Sequence, residues 1–115
     1  MEQKKLIQII ATVLTLATAP AEASVGIVFG DMTCKEWTST PPSLAKGAWV
    51  MGYLSGLNNL HMITSKAKLD PLRNLENGND IFRSIETRCG NNREGDLSDA
   101  VTSIFLELLG TGKIR

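Results

Sequence analysis

Few residues in this chain have the types and spacing that chemistry requires. Its single histidine, His61, is the only side chain suited to act as a general base near neutral pH. A nucleophilic mechanism needs that base paired with a Ser, Cys or Thr held in reach by further structure. No motif in the sequence announces such a pair. Glu94, Asp96 and Asp99 put carboxylates close together. They surround a helix start, where negative charge favours the dipole and side chains cap free amides, so capping explains them better than acid–base work. No glycine-rich loop follows a strand with a lysine placed for phosphate, and His61 has no partner at a metal-ligand spacing. The residues therefore argue for a protein that is not an enzyme and carries no cofactor and no metal.

Two cysteines remain, Cys34 and Cys89. They are too distant for a Cys-x-x-Cys redox or metal motif, and they allow one intramolecular pairing, a structural disulfide. A loop of that length contributes about 4 kcal/mol in the chain-entropy account. An oxidising compartment fits the first 23 residues, which read as a signal peptide. Lys4 and Lys5 form the basic start, Leu6 to Ala19 the apolar stretch, and Pro20 the break. Ala21-Glu22-Ala23 supplies the small residues before a cut between Ala23 and Ser24. An uncleaved anchor would need roughly 20 apolar residues, and this stretch is shorter and interrupted by polar ones. The expected product is a single small domain, residues 24–115, exported to the periplasm.

The chain has 12 basic and 12 acidic residues and no net charge. Cleavage removes two of each sign. A balanced, well-mixed charge pattern speaks against a nucleic-acid binder and against electrostatic capture by a membrane.

The elements read as helices. Residues 24–30 are apolar and bounded by glycine, either extended or partly disordered. Thr33-Cys34-Lys35-Glu36 has the form of a capping box, opening a short helix with Cys34 and Trp37 that Pro41-Pro42 ends. Ser43 caps a long helix from Leu44 to Ser65. Its apolar residues Val50, Met51, Leu54 and Leu57 take one broad side. A separate stripe holds only small residues: Ala45, Ala48, Gly52, Ser55 and Gly56. Interior glycine costs about 1 kcal/mol relative to alanine, so Gly47, Gly52 and Gly56 predict that a backbone or a bulky ring packs there. Ala48, Gly52 and Gly56 mark that close-packing surface. Gly-x-x-x-Gly pairing inside a membrane is the other reading of the spacing; Lys46, Asn58, Asn59 and His61 interrupt it.

Asp70-Pro71 predicts a short helical piece closed by Gly78. Asn79 or Asp80 opens the next helix, with Ile81, Ile85 and Cys89 on one face and Gly90 as its left-handed cap. A last helix runs from Asp96 or Ser98 to Leu109, with Leu97, Val101, Ile104, Phe105 and Leu108 as its stripe and Gly110 as its stop. No segment alternates long enough to make a strand. The fold class is all-α, a small bundle of four to five short helices with one disulfide joining the first helix to the fourth. Trp37, Trp49 and Tyr53 are expected in the core, with partners for their polar tips.

Three features together resemble known exported helical families. They are Cys34-Lys35-Glu36-Trp37 near the start of the domain, Trp49-Val50-Met51-Gly52-Tyr53-Leu54-Ser55-Gly56 on the long helix, and Cys89 ahead of a final apolar helix. The layout is similar to the HdeA/HdeB-type periplasmic acid-stress proteins and to the Rap/Tai-type immunity proteins. A vaguer likeness is to small exported proteins of conjugative plasmids, of the mating or host-killing kind. These resemblances imply an all-helical exported protein built on a disulfide, with Cys34 and Cys89 as the residues carried over. They imply first an acid-stress chaperone for unfolded clients; the alternatives are a protein that binds one partner, such as a periplasmic toxin, at neutral pH, or an exported accessory protein of a conjugative plasmid. Under the chaperone reading, the working surfaces exposed by acid include Leu54, Leu57, Ile104, Phe105 and Leu108.

Overall fold

The computed structural model describes residues 26–114. The expected signal peptide and the expected cut between Ala23 and Ser24 lie outside the described residues. Four helices follow in order: α1 (Cys34–Ser39), α2 (Leu44–Ser65), α3 (Asn79–Asn91) and α4 (Leu97–Thr111). Among the described residues there is no strand, only an isolated antiparallel bridge between Thr33 and Asp96. The all-α class holds, with four helices.

The local starts follow from side-chain chemistry. Thr33 accepts the amide of Glu36 at 3.1 Å, and Ser43 accepts that of Lys46 at 3.2 Å. Each supplies a hydrogen bond to an amide that the first turn leaves without one. α4 takes its stripe from the predicted positions: Leu97, Val101, Ile104, Phe105 and Leu108 are all buried. They pack with Val50 and Leu54 of α2 and with Ile81, Ile85 and Cys89 of α3. α4 is thus the central element, and α1 joins through its disulfide. Cys34 and Cys89 are bonded across 55 positions, with their Cα atoms 4.7 Å apart. Both are buried.

Four local expectations are corrected. Residues 71–74 form a turn and not a helix. The Asp70 carboxylate accepts the Leu72 amide at 2.8 Å, and the following bonds, Arg73 to Asp70 and Leu75 to Leu72, span three residues. An Asp side chain that satisfies a nearby amide offers the backbone a turn in place of a helix. Gly78 does not close a helix; it is the N-cap of α3. Gly90 lies inside α3, which continues to Asn91, and Gly110 lies inside α4. The left-handed cap of α4 is Gly112, with φ of 71°.

The fourth correction concerns the small-residue stripe. Ala48, Gly52 and Gly56 are exposed, and a Cβ built on Gly52 or Gly56 meets nothing within 4 Å. The stripe does not pack inside the fold, because α2 turns Val50 and Leu54 toward α4 and this face away from it. A ring does pack against Gly47, whose Cβ would lie 3.5 Å from Phe82.

Candidate functional site

A concave apolar surface lies among α1, the first half of α2 and the start of α3. Pro41-Pro42 end α1 and the Ser43 cap starts α2, and the two helices border a groove of about 860 Å³. Trp37, Phe82, Met51, Leu44, Pro42 and Ala48 supply its apolar wall, with Thr38, Thr40, Lys46 and Glu86 among its polar members.

Each aromatic is held by a specific contact. Trp37 and Phe82 stack with ring centroids 6.4 Å apart and planes 16° from parallel. Gly47 and Gly78 leave room for Phe82; a Cβ at Gly78 would come within 3.2 Å of that ring. Lys46 reaches back from α2 to the end of α1, donating to the carbonyls of Trp37 and Thr40, both at 3.0 Å. Its ammonium also lies 5.0 Å from the Trp37 ring centroid, a cation–π contact. Lys46 thereby satisfies carbonyls that the helix leaves open and holds the Trp37 wall in place. Leu44 stands at the edge, 93% exposed.

A shallower groove lies on the opposite flank of α2, between Ile27, Val28 and Phe29 and the helix residues Ala48, Trp49, Gly52 and Tyr53. Trp49 donates its indole N–H to the Phe29 carbonyl at 3.0 Å and stacks on Tyr53, 5.2 Å between centroids. Tyr53 shares a hydrogen bond with Thr102 of α4 at 3.0 Å. Gly30 has φ of +75°, and a Cβ there would fall 2.8 Å from the Trp49 indole nitrogen. Only glycine fits that turn. Trp37, Trp49 and Tyr53 are thus half-buried and line the two grooves, with the polar tips of Trp49 and Tyr53 partnered as expected.

The sequence-read candidates for chemistry are dispersed. His61 is half-buried with its ring edge-on to Phe105, 6.0 Å between centroids. Among the described residues, no three His, Cys, Asp or Glu side chains come together as a metal site. Asp96 occupies the N-cap of α4 but makes no capping bond with its side chain. Asp31 does so from outside the helix, its carboxylate accepting the Ser98 amide at 3.0 Å and the Ser98 hydroxyl at 2.5 Å. Sequence reading missed Asp31, since 67 positions separate it from Ser98 and no local pattern links them. Desolvation, with the charges of Asp31 and Asp99 adding to it, raises the Asp96 carboxyl above the ordinary Asp value.

Leu54, Ile104, Phe105 and Leu108 are buried and Leu57 half-buried, so these apolar surfaces are covered in the folded protein. No helix among the described residues is long and apolar enough to cross a membrane.

Comparison with protein-family models, with curated proteins and with solved structures finds no match.

Proposed function

We propose that this is an exported, non-enzymatic protein, periplasmic in location, that binds one protein partner at neutral pH, as the Rap/Tai-type immunity proteins do. The observation that carries this reading is the groove beside Trp37 and Phe82, open in the folded state. Its occupant is an apolar or aromatic side-chain anchor from the partner, with Glu86 and the edge residues around Leu44 in contact with the flanking polar groups. Its mostly apolar, concave lining suits such an anchor. Most interface energy comes from a few such buried anchors.

The test begins with the product of the gene adjacent to this one, titrated calorimetrically against the oxidised protein at pH 7. Saturable 1:1 binding is expected, weakened at least about tenfold by Leu44→Glu or Met51→Glu, the loss of one hot-spot contact. Both side chains are exposed, so circular dichroism should report an unchanged fold. Affinity indifferent to both substitutions would overturn the groove as the binding site.

A second reading, an acid-stress chaperone of the HdeA/HdeB type, has its own support. Two inter-segment contacts depend on carboxylates: Asp31 with Ser98, and Glu107 of α4 with Arg88 of α3. Protonation would remove the acceptor charge from both. Its signature is aggregation suppression confined to acid, with no tight partner at neutral pH.

A further inference from the structure

We propose that Asn77 is a modification site, converted without an enzyme to aspartate and isoaspartate. The Gly78 nitrogen closes a cyclic imide on the Asn77 side chain, and the amide nitrogen leaves as ammonia. Of the chain's asparagines only Asn77 precedes a glycine. A side chain on the following residue crowds the ring that must close, and glycine brings none. Asn77 is exposed, so water reaches its amide. The site stands whether or not the groove takes a partner.

The fold presents the reacting atoms to one another. Asn77 Oδ1 accepts the Asn79 amide at 2.9 Å, which folds the side chain back across Gly78, the residue between them. The Gly78 N–H donates to no acceptor among the described residues. Gly78 is the N-cap of α3 and stands ahead of the helix's own hydrogen bonds. Its amide proton is therefore open to hydroxide.

Once deprotonated, the Gly78 nitrogen attacks Asn77 Cγ and a C–N bond forms. The electron pair of the side-chain carbonyl moves onto Oδ1, where the Asn79 N–H already donates. A donor aimed at a developing oxyanion stabilises the transition state. Collapse breaks the bond from Cγ to the side-chain nitrogen, which takes a proton from water and leaves as ammonia. Water then opens the imide at either carbonyl. Aspartate results if the Gly78 nitrogen parts from Cγ, and isoaspartate if it parts from the main-chain carbon.

Both products change the entry to α3. Aspartate puts a negative charge ahead of the first turn, where the helix dipole favours it. Isoaspartate adds a carbon to the main chain directly before Gly78. That glycine's carbonyl accepts the Phe82 amide at 3.1 Å, and a Cβ on it would stand 3.2 Å from the Phe82 ring. The longer link therefore acts next to a ring that walls the groove.

Incubation of the oxidised protein at pH 8, followed by tryptic digestion and mass spectrometry, tests this on the peptide of residues 74–83, bounded by Arg73 and Arg83. Asn77 should convert to an aspartate and isoaspartate pair before any other asparagine reacts. Conversion should be faster at pH 8 than at pH 6, because hydroxide removes the Gly78 proton. A synthetic peptide of the same residues is the reference, and the folded protein should convert on its timescale. Gly78→Ala should slow the reaction steeply. Since that Cβ is tight against Phe82, Asn77→Gln at the exposed position is the second variant, and it should leave the peptide unmodified. An intact Asn77 in the folded protein after the free peptide has converted would overturn the proposal. So would another asparagine reacting first, or a rate that does not rise with pH.

Discussion

At the scale of single residues, this fold depends on carboxylates whose roles differ although they lie together. Asp31 accepts two bonds from Ser98, one from the backbone and one from the hydroxyl. It also accepts the Met32 amide at 2.9 Å. Around it the backbone is doubly tied: the Cys34 amide donates to Gly95 and the Leu97 amide to Met32, both at 2.8 Å. Asp31 is therefore the N-terminal cap of α4, supplied from another part of the chain. Asp31→Ala should destabilise by about 1–2 kcal/mol, the range for losing a helix cap. In a domain of this size that lowers the melting temperature by roughly 4–16 °C. Thermal unfolding followed at 222 nm checks it. A loss no larger than that of an exposed control such as Lys68→Ala would mean that water replaces the carboxylate at no cost. The neighbouring Gly30 is constrained for a different reason. Its positive φ and the Trp49 indole together exclude a side chain, so Gly30→Ala should loosen residues 26–30 from α2 and expose Trp49 to quenchers.

At the scale of helices, the glycines separate what the sequence reveals from what it hides. Thr33, Ser43 and the periodic stripe of α4 are legible because caps and a 3.6-residue period act within a few positions. The Cys34–Cys89 pairing is legible because only one pairing exists. The groove is partly legible, in the Pro41-Pro42 break and in Trp37. Its other wall is not, because Phe82 meets Trp37 through tertiary packing across 45 positions of chain. Gly90 and Gly110 look like stops, yet α3 and α4 continue through them, because the last turns continue to pack and to hydrogen-bond. The Asn92 amide bonds to Arg88 at 3.1 Å and the Gly112 amide to Leu108 at 2.9 Å, each two residues beyond the expected stop. Neither glycine has a neighbour within 4 Å of an added Cβ, and neither has positive φ. Gly90→Ala and Gly110→Ala should therefore each stabilise, by up to about 1 kcal/mol and less near a fraying end. Gly112→Ala should destabilise, because its left-handed conformation penalises a side chain. Opposite signs at Gly110 and Gly112, read from chemical denaturation midpoints, would verify where α4 ends.

At the scale of the whole molecule, three helices and one disulfide are organised around α4, and its N-terminus gathers Asp31, Asp96 and Asp99. That grouping gives the stability a definite pH dependence. The Asp96 carboxyl is raised in the folded protein by desolvation first, then by the charges of Asp31 and Asp99. A raised folded value means that the native state takes up a proton before the unfolded chain does. The contribution of Asp96 is then fully present below its unfolded value and is lost as pH rises through its folded value. Mild acid, entering the carboxylate range from above, should thus strengthen the fold through Asp96. Asp96→Asn keeps the shape of a side chain that makes no capping bond and removes its charge, so it should raise the melting temperature at pH 7 and flatten the rise expected as pH falls into the carboxylate range. A variant with the same slope as the parent would place the dependence elsewhere. If acid is the trigger for exposing Leu54, Ile104, Phe105 and Leu108, unfolding must come from below that window, where the remaining carboxylates are neutral and the basic side chains repel. A hydrophobic dye should then bind near pH 2 and not at pH 4.5, and client aggregation should be suppressed only where the dye binds. An oxidised protein that excludes the dye and keeps its near-ultraviolet dichroism at pH 2 would leave the partner-binding groove as the working surface.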